Sequence, residues 1–254
     1  MKVIGLYRKT QSGEPVIPAS VLKLNPGEGI EYDIYRQVGS PRQVLIVSQK
    51  TLSEFQIKPG ELGENFFIDA PIEPLQSGQV LQIGSEVLIR LMFHCEPCKN
   101  LEKIHPGLMK RIGIQRGFLG FVIQGGEVFP EDIIRLTSDR FPALGDRAKE
   151  RFWEFVPRIP AGKVVRTSNL LLALGVSSAY YRAIPTFLKT AIQSLPVHRI
   201  VAADGSLLPR YIPDQAQQLW AEGIELQRNK VVNSDDFWPP INFYPQILIH
   251  NNPN

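Results

Sequence analysis

Residues 58–66 read Lys58-Pro59-Gly60-Glu61-Leu62-Gly63-Glu64-Asn65-Phe66, a Pro-Gly turn signal that leads into a predicted strand, Phe66–Ile68. The same alternation of turn residues and short β-branched or aromatic runs extends from this stretch in both directions. It predicts five further strands, which are Lys2–Tyr7, Gln43–Ser48, Val87–Phe93, Leu119–Gln124 and Ile133–Leu136. Many short strands with few helical segments are typical of a β-barrel or a β-sandwich.

Around residues 137–146 the pattern changes, and apolar residues recur with a helical period. The predicted helices are Ala148–Val156, Ser168–Leu174, Ser178–Ser194 and Asp214–Leu226. Thr167 is the predicted N-cap of the second helix, and Gly175 is its predicted stop. Because Pro185 lacks an amide donor, we expect it to interrupt the third helix. The sequence therefore predicts two domains, the N-terminal one mostly β and the C-terminal one mostly α.

The composition excludes several classes of protein. With 43% apolar and 9% aromatic residues, the chain is too apolar for a disordered protein. Its longest apolar runs, such as Val87–Phe93, are too short to cross a membrane, and the N-terminal MKVIGLYRKT lacks the apolar core of a signal peptide. Two cysteines are too few for a disulfide scaffold, so we expect a cytoplasmic protein with no membrane partner.

The small net charge of +3 is unevenly distributed. Residues 1–150 carry 18 basic and 18 acidic side chains, whereas residues 151–254 carry 10 and 7. Between Arg158 and Arg210 there are seven basic residues and one acidic residue, Asp204, which gives +6 over 53 positions. An excess of this kind is expected of a phosphate-binding surface, although a solvated face explains it equally well.

One Cys-x-x-Cys pair, Cys95-Glu96-Pro97-Cys98, precedes a predicted short helix, Lys99–Ile104. Because a helix N-terminus stabilises a thiolate, Cys98 is a candidate nucleophile or soft-metal ligand. The spacing alone leaves three alternatives open. The pair could be half of a zinc site completed by His94 and His105, a thioredoxin-like redox pair, or two ordinary half-buried cysteines.

Four ordered segments of the first half resemble MOSC domains, the C-terminal domain type of molybdenum-cofactor sulfurases. They are residues 58–66, Gly39-Ser40-Pro41-Arg42-Gln43-Val44, Pro97-Cys98-Lys99-Asn100-Leu101, and Arg116-Gly117-Phe118-Leu119-Gly120-Phe121-Val122 with Gly125-Gly126. The resemblance covers about residues 1–137 and implies a MOSC-like β-barrel that handles sulfur or the molybdenum cofactor (molybdopterin). It places Cys98 at the family's functional cysteine, where a thiolate carries a persulfide or ligates molybdenum. It also implies a sulfur donor or a molybdoenzyme as a partner.

Two segments of the second half resemble alkylguanine-DNA alkyltransferases. Arg158-Ile159-Pro160-Ala161-Gly162-Lys163-Val164-Val165 is similar to the family's Ile-Pro-x-Gly-x-Val motif, and Leu195-Pro196-Val197-His198-Arg199-Ile200-Val201 to its Pro-Cys-His-Arg-Val motif. The resemblance covers about residues 146–230 and ends at Glu222-Gly223. It implies a helix-turn-helix in the DNA minor groove and an arginine that takes the space of a flipped base.

Val197 stands where the resemblance requires the alkyl-accepting cysteine. An alkyl acceptor must be a nucleophile, and a valine side chain has no lone pair, so we expect no alkyl transfer at this position. The alkyltransferase-like proteins, which lack that cysteine and bind alkylated DNA without repairing it, are the closer resemblance. His198 and Glu222 match the family's activating residues and are expected to be structural or to shape the pocket.

With alkyl transfer excluded, the resemblance still implies that this domain recognises DNA. Arg182 lies near the position of the base-replacing arginine, and Ser168–Leu174 with Ser178–Ser194 form the predicted helix-turn-helix. The remaining basic residues of the stretch are candidate phosphate contacts to duplex DNA. These are Lys163, Arg166, Lys189, Arg199 and Arg210.

Three functions are compatible with these motifs. The first is a DNA-binding protein, in DNA repair or modified-base handling, whose residues 138–231 bind duplex while residues 1–137 supply sulfur or molybdenum chemistry. The second is a molybdenum-cofactor-related sulfur carrier or enzyme whose alkyltransferase-like part is a scaffold. The third is a non-catalytic interaction protein. The +6 stretch favours the first, because a scaffold has no need of it. The Pro- and aromatic-rich tail, residues 232–254, is expected to dock on one of the domains.

Overall fold

The computed structural model describes residues 1–244, which form two compact units. The first unit comprises Met1–Asp146 together with Tyr244, and the second comprises Arg147–Phe243. The predicted boundary at 137/138 lies within the last strand of the first unit, Ile134–Arg140, so that unit extends further along the chain. Most of the described tail lies in the second unit, and residues 245–254 lie outside the described residues.

The first unit is built mainly of strands. Its strands are β1 (Val3–Arg8), β2 (Ile17–Pro18), β3 (Leu22–Asn25), β4 (Gly29–Ile30), β5 (Val44–Ser48), β6 (Phe66–Ile68), β7 (Gln79–Ile83), β8 (Val87–His94), β9 (Phe118–Gln124), β10 (Gly126–Val128) and β11 (Ile134–Arg140). Two α-helices, α1 (Gln49–Phe55) and α2 (Leu108–Arg111), and two 3₁₀ turns, Lys99–Lys103 and Gly113–Arg116, lie between them.

Eight of these strands form one sheet in the order β11-β7-β8-β9-β5-β6-β1-β2. All neighbours are antiparallel except β5 and β6, which are parallel. The two sides of the sheet meet at β1 and the start of β11, where the amide of Glu131 donates to the carbonyl of Val3 at 2.7 Å. The amide of Val3 donates to the Asp132 carbonyl at 3.0 Å, and the amide of Ile134 donates to the Met1 carbonyl at 2.8 Å. These bonds close the sheet into a barrel, as the resemblance to MOSC domains implies.

The barrel core follows from the two-residue period of its strands, which turns alternate side chains inward. Val44 and Ile46 of β5 are buried in the core together with Leu81 and Ile83 of β7 and other alternating residues. Strands with a clear apolar run were predictable to within a residue or two at most ends. The strands β2, β3, β4, β7 and β10 were not predicted. Four of them, β2, β3, β4 and β10, have only two to four residues and depend on pairing with their neighbours. The fifth, β7, carries the apolar residues Val80, Leu81 and Ile83, which do indicate a strand.

The second unit contains four α-helices, α3 (Ala148–Phe155), α4 (Thr167–Ala173), α5 (Ile184–Ala191) and α6 (Gln215–Ala221). Its strands are two short pairs, the parallel β12 (Val165–Arg166) with β13 (Ile200–Val201) and the antiparallel β14 (Leu226–Gln227) with β15 (Lys230–Val231). The chain also forms 3₁₀ turns at Val156–Arg158, Ser178–Arg182, Val197–Arg199, Ser234–Asp236 and Pro240–Asn242. The mostly helical second domain is confirmed.

Three helix predictions were wrong in detail. The predicted helix Asp214–Leu226 is the shorter helix α6, Gln215–Ala221, because Gly223 follows it, and Leu226 begins β14. Ser178–Ser194 is not one helix but the 3₁₀ turn Ser178–Arg182 followed by α5, because Pro185 is confined to a first helical turn. Helix α4 begins at Thr167 itself, so its N-cap is Arg166 rather than Thr167.

The tail segment 233–243 packs on the second unit. Val164 forms a parallel bridge with Phe237, its amide donates to the Asp236 carbonyl at 2.7 Å, and the Trp238 amide donates to the Val164 carbonyl at 2.9 Å. The rings of Trp238 and Phe243 lie 5.1 Å apart, and each also contacts Phe155. These contacts make the segment 233–243 part of the core of the second unit. Docking of the whole tail, residues 232–254, stays a prediction. No helix within residues 1–244 is long and apolar enough to cross a membrane.

Candidate DNA interface and candidate barrel site

The 3₁₀ turn Val197–Arg199 carries an ion-pair network with Glu222, at the end of α6. Nε2 of His198 lies 2.8 Å from Oε1 of Glu222. The guanidinium of Arg199 donates from Nε to both carboxylate oxygens, at 3.0 and 3.1 Å, and from Nη2 to Oε1 at 2.7 Å. The amide of Gly162 donates to Oε2 at 3.1 Å. The carboxylate thus joins the turn to the segment before β12.

The electrostatics of Glu222 follow from these contacts. Partial burial acts to raise the pKa of its carboxyl, but the hydrogen bonds from Arg199, His198 and Gly162 outweigh it and lower the pKa to about 2. Nη1 of Arg199 also donates to the Ile159 carbonyl at 2.6 Å. The network therefore keeps the Glu222 carboxylate charged at neutral pH and orients the turn.

Val197 lies in the same turn and is 1% exposed. The residue at the predicted acceptor position is therefore an apolar side chain packed in the core. His198 and Glu222 are in contact, but the turn supplies no nucleophile for them to activate. The arrangement is suited to holding a loop in shape.

The six candidate DNA contacts fall into two groups. Three are engaged within the second unit. Arg199 is held by Glu222, Nζ of Lys163 donates to the Asp235 carbonyl at 2.5 Å, and the guanidinium carbon of Arg166 lies 3.6 Å from the Phe237 ring centroid. The tail segment thus occupies Lys163 and Arg166. Their contact with phosphate stays a prediction.

The other three candidates, Arg182, Lys189 and Arg210, are exposed, and none has an acidic partner among residues 1–244. Lys189 of α5 and Arg210 lie on the same aromatic ring, with Nζ of Lys189 5.8 Å and the guanidinium carbon of Arg210 6.0 Å from the Tyr211 centroid. Arg182 ends the 3₁₀ turn that immediately precedes α5. Three cations separated by up to 28 positions along the chain are therefore free to contact an anionic partner.

Helices α4 and α5 are the two helices of the predicted helix-turn-helix. The 3₁₀ turn that carries Arg182 lies between them and packs against both. A helix-turn-helix itself stays a prediction, as does the role of Arg182 at a flipped base.

In the first unit, the two cysteines have different environments. Cys98 is exposed and is the N-cap of the 3₁₀ turn Lys99–Lys103. Cys95 is buried, and Nη2 of Arg42 lies 3.9 Å from its sulfur. Among residues 1–244 no three His, Cys, Asp or Glu side chains are grouped to hold a metal ion. His94 contacts a carboxylate instead, with Nδ1 3.0 Å from Oδ2 of Asp146.

Cys98 follows the end of β8, at the edge of the barrel where β9 begins. His94 at the end of β8 pairs with Phe118 at the start of β9, and the amide of Cys95 donates to the Gly117 carbonyl at 2.8 Å. The turn that ends in Arg116 therefore reaches the same edge. Nε and Nη1 of Arg116 are buried and have no hydrogen-bond partner in the described part of the chain. Such donors are suited to an anionic ligand.

Glu64 is a second polar group of the barrel that sequence reasoning missed. It is fully buried, its Oε1 accepts from the Gly60 amide, and its Oε2 has no partner within residues 1–244. Burial raises the pKa of its carboxyl, although backbone hydrogen bonds and the Arg116 guanidinium oppose the rise. Glu64 and Arg116 both lie in segments quoted for the MOSC resemblance, but their burial depends on the fold.

Two domain families match the chain. Residues 35–135 match the MOSC domain, and residues 147–228 match the DNA binding domain of 6-O-methylguanine DNA methyltransferase. No curated protein matches the sequence.

Several solved structures are similar to parts of the chain. YuaD from Bacillus subtilis is 18% identical, covering 52% of this chain and 93% of its own, with a TM-score of 0.46. YiiM from Geobacillus stearothermophilus is 15% identical, covering 86% and 98%, with a TM-score of 0.44. Atl1 from S. pombe, in complex with damaged DNA containing O6-carboxymethylguanine, is 23% identical, covering 38% and 98%, with a TM-score of 0.34. By its two family matches, the chain combines a MOSC domain with a DNA-binding domain of the 6-O-methylguanine DNA methyltransferase type.

Proposed function

We propose that this chain is a DNA-binding protein whose second domain binds duplex DNA without alkyl transfer and acts in DNA repair or modified-base handling. The observation that carries the proposal is the exposure of Arg182, Lys189 and Arg210, with no acidic partner among the described residues, in a domain of a DNA-binding family. Exposed cations without partners attract phosphates and release the counterions that surround DNA.

The ion-pair network supports this function in a second way. It keeps the turn Val197–Arg199 in place although the position of the acceptor is filled by valine. A domain that retains the framework and lacks the nucleophile is suited to binding a base and not to modifying it.

The test is a titration of labelled duplex with the full chain at about 50 and about 200 mM salt, where phosphate contacts predict a steep loss of affinity. Arg182→Ala is expected to weaken binding at least about ten-fold, which is near the lower end of the range for a hydrogen bond to a charged group. Arg135→Ala is the matched control, because Arg135 is an exposed arginine of the barrel. Affinity that is independent of salt, or equal in both variants, would contradict the proposal.

For the barrel we propose sulfur or molybdenum-cofactor chemistry at Cys98. The exposed thiol and the buried donors of Arg116 at the same edge fit a ligand that carries both a soft site and an anionic group. A bound molybdenum cofactor would supply the redox chemistry, while Cys98 would ligate it and Arg116 would hold its phosphate. As a sulfur carrier, the Cys98 thiolate would instead attack the outer sulfur of a donor persulfide, forming its own persulfide and releasing the donor thiolate.

Molybdenum and persulfide content of the purified full chain tests this second proposal. Both are expected to fall with Cys98→Ala and to persist with the control Cys95→Ala. A chain that carries neither group, even after incubation with a small-molecule persulfide or with molybdopterin, would contradict it. Such a result would favour a non-catalytic role for the barrel.

A further inference from the structure

The barrel presents an exposed aromatic surface that neither proposal uses. It consists of Tyr32, Ile34, Tyr35 and Val38, in the loop between β4 and β5, and is called the Tyr32 surface below. Tyr32 is 72% exposed and Tyr35 51%. The loop therefore exposes two aromatic and two aliphatic side chains within seven positions.

The loop is held rigidly by one buried carboxylate. Asp33 accepts hydrogen bonds from the amides of Lys9 at 2.9 Å and Tyr35 at 2.8 Å, and from Nδ2 of Asn65 at 3.1 Å. The Ile34 amide also donates to the Lys9 carbonyl at 2.8 Å. The tyrosines are therefore presented on a fixed backbone.

Tyr32 has a φ of 61°, in the left-handed region. A bulky L-residue disfavours this conformation, and glycine would adopt it at no steric cost. Because the Tyr32 side chain is largely exposed, its burial does not offset the cost of this backbone conformation. Strained residues of this kind concentrate where they contact a ligand.

The charges beside the surface indicate what the ligand is. The guanidinium carbon of Arg8 lies 5.8 Å from the Tyr32 ring centroid, and neither Arg8 nor Lys9 forms an ion pair with a described residue. Glu31 and Glu28, the exposed or half-buried acidic residues of the same region, are paired with Lys23 and Arg36. Asp33 is buried, and its carboxylate is taken up by the hydrogen bonds described above. Arg8 and Lys9 are therefore the charged groups beside the tyrosines that have no ion-pair partner among the described residues.

We propose that the Tyr32 surface binds unpaired bases of DNA, with Tyr32 and Tyr35 stacking on bases and Arg8 and Lys9 contacting phosphates. Aromatic platforms flanked by cations are the common means of binding single strands, because every base has a π-face. The DNA-binding family of the second domain makes DNA the ligand that this chain is expected to meet.

The test measures binding of a labelled single strand of about 12 nucleotides, within the site sizes of such platforms, to the full chain. All variants carry Arg182→Ala, Lys189→Ala and Arg210→Ala, so that the three proposed duplex contacts do not contribute. Tyr32→Ala with Tyr35→Ala is expected to weaken binding at least about ten-fold, since each stacked base contributes in that range. The control is Phe129→Ala, because Phe129 is an exposed aromatic residue of the same barrel, and it should bind normally.

Two further measurements separate stacking from other causes. An abasic strand of the same length should bind the unmodified loop no better than the intact strand binds the double variant. Tyr32→Gly should also weaken binding while its melting temperature stays the same or rises, because glycine relieves the left-handed backbone. Unchanged affinity in the double variant, equal binding of the abasic strand, or no binding at all would overturn the proposal. The last result would show that the Tyr32 surface is not a nucleic-acid site.

Discussion

The guanidinium of Arg199 donates to both oxygens of Glu222, with Nη2 2.7 Å from Oε1 and Nε 3.1 Å from Oε2. Both side chains are largely buried, at 16% and 15% exposure. Arg199, which the sequence predicts as a phosphate contact, is therefore the main partner of the Glu222 carboxylate.

This relationship predicts the effect of removing the carboxylate. Glu222→Ala leaves Arg199 largely buried without its partner and should lower the free energy of unfolding of the second unit by about 3 kcal/mol. Chemical denaturation of the full chain, with hydrogen exchange over residues 147–243, measures the loss. Glu225→Ala removes an exposed carboxylate nearby and should change little. Equal stability of the two variants would show that the ion pairs contribute nothing.

The same carboxylate predicts a dependence on pH. Because the pKa of Glu222 is lowered from 4.5 to about 2, its contribution to stability is complete above pH 4.5 and is lost as the pH falls toward 2. The stability difference between the natural chain and Glu222→Gln should shrink over that interval. A difference that stays constant down to pH 2 would contradict the lowered pKa.

Glu64 predicts the opposite dependence. Burial raises the pKa of its carboxyl above the ordinary value of 4.5, so the charged form destabilises the barrel. Its contribution is most favourable below pH 4.5 and is lost as the pH rises. Glu64→Gln, which retains an oxygen for the Gly60 amide, should therefore raise the stability of the first unit at neutral pH. A large loss of stability at pH 7 would mean that the charged carboxylate has a partner.

Substitution of Trp238 in the tail segment and of Trp220 in α6 should change stability by different amounts. Trp238 is 9% exposed and packs on Phe155 and Phe243, so Trp238→Ala should destabilise the second unit by about 3 kcal/mol or more. Trp220 is 59% exposed, and Trp220→Ala should stay within about 0.5 kcal/mol of the natural chain. Thermal melts of the two variants decide whether the tail is part of the domain.

The cysteines predict an order of chemical labelling. Cys98 is exposed and Cys95 is buried, so a thiol reagent should modify one sulfur in the native chain and the second only on unfolding. Mass spectrometry after proteolysis locates the first label. Labelling of Cys95 first, or of both cysteines at the same rate, would contradict the burial of Cys95 and the exposure of Cys98.

Much of the fold was predictable because its cause is local. Phe66–Ile68 is a strand in the prediction and in the structure. The helical period beyond residue 146 corresponds to the helices α3, α4 and α6. The strand β3 was not predictable, because Leu22–Asn25 has two apolar residues and depends on pairing with β10, about 100 positions away. Pro185 was recognised as an interruption, yet its place in the first turn of α5 depends on how the preceding turn packs.

By itself, the sequence determined the two-domain order and the absence of a thiol at Val197, because residue identity and short-range pattern settle both. Only the tertiary structure decided which cations are free and which are engaged. Arg199 meets Glu222 across 23 positions, and Gly162 meets it across 60. Glu64 is likewise ordinary in the sequence and fully buried in the barrel. Burial and long-range pairing are properties of the folded chain, so no local pattern contains them.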